Sequence, residues 1–528
     1  MSLGRAIATV GGFTMVSRVV GFLRDIVLSA VLGSGAVADA FFVAFKLPNF
    51  FRRLFAEGAF SAAFVPLFAR ALQEGGRVDA IVFARQAQAA LLAVLLPFSA
   101  LLILAMPWVM AVMAPGLRPE PATFDLAVAF GRITFPYLLF IALTALYGGV
   151  LNSLERFAHV AATPILLNLT VIAAVLGLTP FLPNSGYAAA LGVAVAGVVQ
   201  WLWLLAACAR EGVGLTIVRP RWTGRVARLV KLATPVAIGG GVQQIGLVLD
   251  VVWASLLPVG TISALYYADR IAQLPLGVVG VAIGTALLPL LARQLRAGET
   301  DAAMANQNRA IEVGLLLGLP AAVALLLLSE PIIRMLFERG RFGAEDTWRA
   351  AGALAAFSAG LPAFVLVKAL TPGFFAREDT RTPLYIAIAC IAANVILNLV
   401  FLLATTLAHV GIALASSLAG WLNAALLAAM LLARRHWIAD RRLISRAWRI
   451  GLATAGMAVV LWIALGPLAP ALARADFAGV GALAGLCLLG IGVYGALGMA
   501  FGVVDVAELR FMMRRQPGLR SAAPDEPQ

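Results

Sequence analysis

The chain has 528 residues, 62% of them hydrophobic and only 12% charged, where an ordinary soluble domain carries about 25% charged residues. That apolar content excludes a disordered chain, and three cysteines in 528 residues exclude a disulfide scaffold. What remains is an all-α polytopic membrane protein. Its net charge of +14 would point to nucleic acid in a soluble domain, but here it reads as arginine-rich loops and no nucleic-acid partner.

A helix needs about 20 mostly apolar residues to cross the hydrocarbon core, and fourteen such runs follow one another. The first, 5–32, carries Arg18, Arg24 and Asp25 and lacks the clean apolar core of a cleavable signal peptide. The second, 37–70, carries Asp39, Lys46, Asn49, Arg52, Arg53 and Glu57. Asp39, Lys46 and Arg53 recur every seven residues with Asn49 and Glu57 within a turn, which stacks them on one helical face. Spans 82–113, 126–151 (with Arg132), 160–180 and 187–209 complete a first set of six. The seventh, 228–256, carries Asp250, and the eighth, 262–292, carries Asp269 and Arg270. Spans 308–329, 348–374 (with Lys368), 383–404 and 409–433 complete a second set, and 448–469 and 478–503 follow. The predicted organisation is an N-terminal lobe (1–213), a C-terminal lobe (214–440), a terminal helix pair (441–510) and a disordered cytoplasmic tail (511–528).

The loops set the orientation. With the N-terminus inside, the cytoplasmic side holds twenty-six arginines and lysines, among them Arg77, Arg221, Arg296, Arg381 and Arg442. The other side holds six: Arg118, Arg334, Arg339, Arg341, Arg349 and Arg474. That asymmetry predicts both termini in the cytoplasm, as an even number of spans requires. The charged loop 338–348 (ERGRFGAEDTW) then faces outward, either as a gate or as an ordinary solvated loop.

The two sets of six are related. Asp25-Ile-Val-Leu-Ser-Ala-Val-Leu-Gly-Ser-Gly35 aligns with Asp250-Val-Val-Trp-Ala-Ser-Leu-Leu-Pro-Val-Gly260. Phe41-Phe42 then falls near Tyr266-Tyr267, Lys46 near Arg270, and Pro66 on Pro289, at offsets of 223 to 225 residues. Repeated halves predict two lobes in a V around a central cavity, with substrate bound between them.

A charge at mid-bilayer costs about 2.5–3.5 kcal/mol on insertion scales, so the intramembrane charges must pair or face water. The basic residues Arg18, Arg24, Lys46, Arg52, Arg53 and Arg270 outnumber Asp25, Asp39, Glu57 and Asp269. A net positive site in low dielectric favours an anion, and the planar guanidinium suits phosphate or carboxylate. A ladder of ion pairs sealing helix to helix is the alternative. His159, His409, His436, Cys208, Cys390 and Cys487 lie far apart without metal-ligand spacing, and no nucleophile–base constellation or phosphate-cradling glycine loop is present. An enzyme is therefore not expected, and energy must come from an ion gradient or the membrane potential.

The run SRVVGFLRDIVLSAVLG (17–33) and the following ADAFFVAFKLPNFFRRLFAEGAFSAAFVPLF (38–68) resemble the MurJ (MviN-type) lipid II flippases. So do YYADRIAQLPLGVVGVAIGTALLPLLAR (266–293), LFERGRF (336–342) and FFAREDTRTP (374–383). The resemblance extends over about residues 5–505 and places the chain near the MATE drug exporters, within the multidrug/oligosaccharidyl-lipid/polysaccharide exporter superfamily. It implies an inner-membrane protein that moves undecaprenyl-pyrophosphate-linked disaccharide-pentapeptide (lipid II) from the inner to the outer leaflet for peptidoglycan synthesis and cell shape. It also implies that Arg18, Arg24, Arg52 and Arg270 are cavity arginines and that Asp25 and Asp39 are their acidic partners; Lys46, Asn49, Glu57 and Asp269 join the expected binding set as the polar and charged residues of the same spans. The last two helices would extend a groove for the lipid tail. Membrane lipids and cell-wall synthesis proteins are the other partners it suggests. Some members are expected to bind Na+ through an Asp on helix seven and an Asn-x-x-x-Asp pair on helix eleven. Here Asp250 fits, but the pair reads Asn394-Val-Ile-Leu-Asn398, so one carboxylate is missing and H+ or the membrane potential is an equal expectation. Other readings are a flippase for another polyprenyl-pyrophosphate glycan, a cation-coupled drug exporter, which would want an acidic cavity, and a scaffold recruiting cell-wall enzymes.

Overall fold

The computed structural model describes residues 3–53 and 60–503, so Glu57 and the tail 511–528 lie outside the described residues. The described chain is helical throughout, with no strand among those residues. This is what a long apolar chain must do, because a membrane offers no water to satisfy free backbone groups. In chain order the helices are α1 (Leu3–Leu32), α2 (Ala36–Phe51), α3 (Phe60–Leu104), α4 (Met106–Met113), α5 (Pro121–Thr134), α6 (Tyr137–Ser153), α7 (Phe157–Leu178), α8 (Ser185–Arg210) and α9 (Gly224–Ser255). Then come α10 (Thr261–Arg296), α11 (Thr300–Leu327), α12 (Ser329–Phe337), α13 (Ala344–Phe375), α14 (Arg381–Ala404), α15 (Ala408–Ala433), α16 (Arg441–Leu472) and α17 (Phe477–Ala500).

Among the described residues, eleven helical stretches are long and apolar enough to cross a membrane. The expected first, second and seventh spans fall outside that set. They correspond to α1, α2 and α9, which carry Arg24 and Asp25, Asp39 and Lys46, and Asp250. The expected boundaries also change. Within span 37–70, α2 contains Pro48 and α3 begins at Phe60, while residues 54–59 lie outside the described residues. The polar stretch 71–81, expected as a loop, is helical. The turn there is made by Gly76, whose φ of 70° lies in the left-handed region that glycine enters at little cost. Span 126–151 is broken at Pro136, between α5 and α6.

Side-chain caps fix several helix starts. Asn184 accepts from the amides of Gly186 and Tyr187 for α8, Thr223 from Val226 for α9, Asp440 from Leu443 for α16, and Asp476 from Gly479 for α17.

By backbone proximity the chain forms two compact units. The first comprises Met1–Ile271, Ile332–Phe357 and Ala387–Ala419. In it α1 packs on α7, α7 and α6 on α8, α2 on α5, and α3 on α6 and α9. Phe60, Phe64 and Phe68 repeat every four residues on α3 and stack along one face, with Phe83 against Phe64. Tyr147, Leu204 and Cys208 complete that core. Loop 338–343 also belongs to this unit; Arg339, Gly340, Arg341 and Gly343 are exposed, and the loop is anchored at two points. The Arg341 amide donates to the Ala30 carbonyl at 2.9 Å, satisfying one of the free carbonyls at the end of α1. Phe337 and Phe342 are buried around the Tyr267 ring, at 5.1 and 5.4 Å between centroids.

The second unit comprises Ala272–Pro331, Ser358–Ile386 and Gly420–Gln528, in which α16 packs on α17 and on α11. Its polar centre is Glu312 on α11, 6% exposed, which pairs with Arg309 and Arg446 and lies 3.6 Å from Arg442. Arg309 also reaches Asp440, the α16 cap, so the acids and bases of the two helices are matched where they meet. Before α14, the Thr382 hydroxyl and amide, helped by Arg434, hold Asp379 down at about 2.

Candidate functional site

The sequence places Arg24 and Asp25 next to each other on α1, and neighbours in a helix point roughly 100° apart. Their pairing therefore depends on the reach of arginine and on what surrounds it. Asp25 is fully buried. Its Oδ1 accepts from Arg24 Nε at 3.0 Å, Arg24 Nη2 at 2.6 Å and the Tyr266 hydroxyl at 3.3 Å, and its Oδ2 accepts from Arg270 Nε. The remaining Arg24 nitrogen, Nη1, donates to Asn168 Oδ1 on α7 at 3.0 Å, and the Phe45 ring lies 5.9 Å from the guanidinium carbon. Gly21 permits this approach, since a Cβ there would stand 3.2 Å from the Asn168 amide nitrogen.

One carboxylate thus serves two guanidiniums and leaves a net positive charge. The two arginines differ in access. The Arg24 side chain is 6% exposed and committed to protein partners, whereas the Arg270 side chain is 38% exposed and can present N–H groups to a ligand. The repeat counterparts also meet: the Phe42 and Tyr266 rings stack at 3.9 Å with an interplanar angle of 21°.

The other expected residues take several positions. Arg18, one and a half turns before Arg24, is exposed. Lys46, Arg52 and Asp269 are half-buried. Asn49 is local in its bonding: its amide donates to the Phe45 carbonyl at 3.1 Å and its oxygen accepts from Arg52 Nε at 3.2 Å. Asp269 acts electrostatically on both Arg270 and Asp250. Asp39 faces the start of α10. Its carboxylate accepts from the Gly260 amide at 2.6 Å and from the Ser263 amide and hydroxyl, both at 2.7 Å, so it caps that helix against its positive end. Replacing Asp39 with Ala is expected to destabilise the protein by about 3 kcal/mol, because three donors lose their acceptor in a buried place. Asp39→Asn, which keeps one oxygen, should lose less. Thermal unfolding of the purified protein in detergent checks both; equal midpoints for wild type and Asp39→Ala would disprove the capping role.

Residues not singled out from sequence also belong here. Asn168 is a lone amide in the apolar span 160–180, and that isolation was a usable signal. Ser34 Oγ bonds the Gly260 carbonyl at 2.9 Å and reaches Ser263 Oγ at 3.0 Å, but a serine between spans carries no such signal.

The expected cation residues form a chain of hydrogen bonds. Ser416 Oγ reaches Asp250 Oδ1 at 3.5 Å, Asn394 Nδ2 reaches Ser416 Oγ at 3.4 Å, and Asn398 Nδ2 donates to the Asn394 carbonyl and side-chain oxygens at 3.0 Å each. Among the described residues no group of three or more His, Cys, Asp or Glu is placed to hold a metal ion.

Residues 28–478 match the family described as lipid II flippase MurJ. The chain is 46% identical over 522 residues to the probable lipid II flippase MurJ of Rhizobium meliloti (strain 1021), covering 98% of this chain and 97% of that protein. It is similar to a solved structure of lipid II flippase MurJ in an inward closed conformation, with a TM-score of 0.77, 26% identity, and coverage of 93% of this chain and 98% of that one. An inward-facing MATE-family multidrug transporter of the MOP superfamily shares the fold, with a TM-score of 0.66 at 15% identity over 79% of this chain and 94% of its own. With a family match across most of its length and a relative this similar from end to end, the chain belongs to the lipid II flippase MurJ family.

Proposed function

We propose that the protein carries lipid II, the undecaprenyl-pyrophosphate-linked disaccharide-pentapeptide, from the inner to the outer leaflet of the bacterial cytoplasmic membrane for peptidoglycan synthesis. The observation that carries this reading is the Arg24–Asp25–Arg270 cluster, a buried acid shared by two guanidiniums of which Arg270 is partly open. A pyrophosphate entering low dielectric needs replacement for its lost hydration, and a guanidinium fork supplies paired, charge-assisted hydrogen bonds. Asp25 keeps the two cations compensated until such an anion arrives, which avoids the cost of a bare charge in the membrane. Arg24, held by Asn168 and Asp25, positions Asp25 and so Arg270. Arg18, Lys46 and Arg52 extend the positive surface towards the peptide carboxylates.

In this reading the chain transports and does not catalyse, and both termini are cytoplasmic. The segments 1–213 and 214–440 act as two lobes that alternate access to the site, and 441–510 guides the lipid tail. The test is the leaflet accessibility of lipid II in cells depleted of the protein, read with an externally added enzyme that cleaves exposed headgroups. The exposed fraction should collapse on depletion and return with wild type but not with Arg270→Ala or Arg24→Ala present at normal levels in the membrane. If lipid II stays accessible while another polyprenyl-linked glycan is trapped inside, the substrate is that glycan.

A further inference from the structure

We infer that Asp250 is served by a cation tethered to the chain, Lys46, and that the junction of α9, α14 and α15 beside it holds a water molecule and not a sodium ion. Three observations lead there.

The first is the repeat. Asp250 is the counterpart of Asp25, and Arg270 is the counterpart of Lys46. In the first pair of partners, the acid of the N-terminal copy meets the base of the C-terminal copy, Asp25 with Arg270. The sequence offers the same exchange reversed, and Lys46 acts on Asp250 as an opposite charge. Each acid is therefore matched by the other copy's base.

The second is the donor set. A hard cation such as sodium needs several converging oxygens. Around Asp250 the amides turn hydrogens into the network instead: Asn398 Nδ2 covers the Asn394 side-chain oxygen, and Asn394 Nδ2 points to Ser416. Within this hydrogen-bonded chain Asp250 is the single carboxylate.

The third is a small cavity of about 10 Å³ lined by Trp253, Leu257, Asn398, Phe401, Leu402 and Ile412 among others. Two of these residues carry buried polar atoms with no hydrogen-bond partner among the described residues, Trp253 Nε1 and Asn398 Oδ1. One is a donor and the other an acceptor, in otherwise apolar surroundings. A water can accept from the indole and donate to the amide, and the cavity is about one water in size. An indole donor in the lining offers a cation no lone pair.

The inference concerns the energy coupling of the proposed transport, yet its test does not depend on transport. The purified full-length protein is melted in detergent in sodium, potassium or choline chloride at equal ionic strength. Wild type should show one midpoint in all three salts. Asn398→Asp supplies the missing carboxylate and should gain a sodium-specific rise of about 2 °C or more. Lys46→Met should lower the midpoint, and Lys46→Met/Asp250→Asn should recover at least half of that loss, because removing both charges leaves neither unpaired. A sodium-specific rise in wild type that disappears in Asp250→Asn would overturn the inference. So would additive losses in the double variant, or a folded Asn398→Asp that ignores sodium. A lipid II assay that failed would leave each of these results standing, so the two readings fail separately.

Discussion

Replacement of Asp25 with alanine is expected to abolish lipid II flipping and to destabilise the protein by about 3–5 kcal/mol, the range seen when one partner of a buried ion pair is removed. Asp25 has no exposed surface and accepts hydrogen bonds from Arg24, Tyr266 and Arg270. Without it Arg270, more than a third exposed, can turn towards water, but Arg24 cannot, because its side chain is 6% exposed and fixed by Asn168. The loss should therefore come mainly from Arg24, and Arg24→Ala combined with Asp25→Ala should recover part of the midpoint while flipping stays absent. Asp25→Asn keeps one acceptor oxygen and should be milder in stability than in function. Growth complementation in a depletion strain, measured beside thermal unfolding and membrane level, separates the two effects. Normal growth of the Asp25→Ala strain with an unchanged midpoint would remove this cluster from both roles.

The second large effect is expected at Gly340, in the loop between α12 and α13. Its φ is +60°, and a Cβ there would stand 2.2 Å from the Ala30 carbonyl oxygen, backbone that cannot step aside. The same contact is shaped from the other side by Gly33, at φ +72°, whose Cβ would meet the Arg341 carbonyl oxygen at 2.7 Å. Gly340→Ala therefore combines about 1 kcal/mol of left-handed strain with loss of the Arg341–Ala30 hydrogen bond and of the Phe337–Tyr267–Phe342 packing that the docked loop provides. The expected total is about 3 kcal/mol, seen as a lower midpoint and less protein in the membrane. Gly343→Ala is the control: nothing lies within 4 Å of its Cβ position, and the change should stay within about 0.5 kcal/mol. Equal behaviour of the two variants would mean that the loop does not depend on this close approach.

The sequence by itself determined the fold class, and it carries the excess of base over acid and the internal similarity on which the site and repeat readings rest. Each of these is written in local composition or in a constant offset along the chain: apolar runs of spanning length, an excess of Arg and Lys over Asp and Glu within α1, α2 and α10, and an acid, a glycine and a proline that keep register over some 224 residues. The residues placed around Asp25 were mostly legible for the same reason, since a charge in an apolar run stands out. Partnership was not legible. Asp39 and Asp25 look alike on an inward helical face, yet one caps the first turn of α10 and the other clamps two arginines, because only the crossing of α2 with the start of α10 brings the Gly260 and Ser263 amides to Asp39. Asn168 joined the site through the packing of α7 on α1, which no spacing in the chain encodes. The breaks at Gly76 and Pro136 likewise depend on backbone geometry at single residues, which averaged hydropathy smooths away. Apolarity and charge are properties of one segment, whereas a hydrogen bond of about 3 Å is a property of two segments, and only tertiary packing decides which two meet.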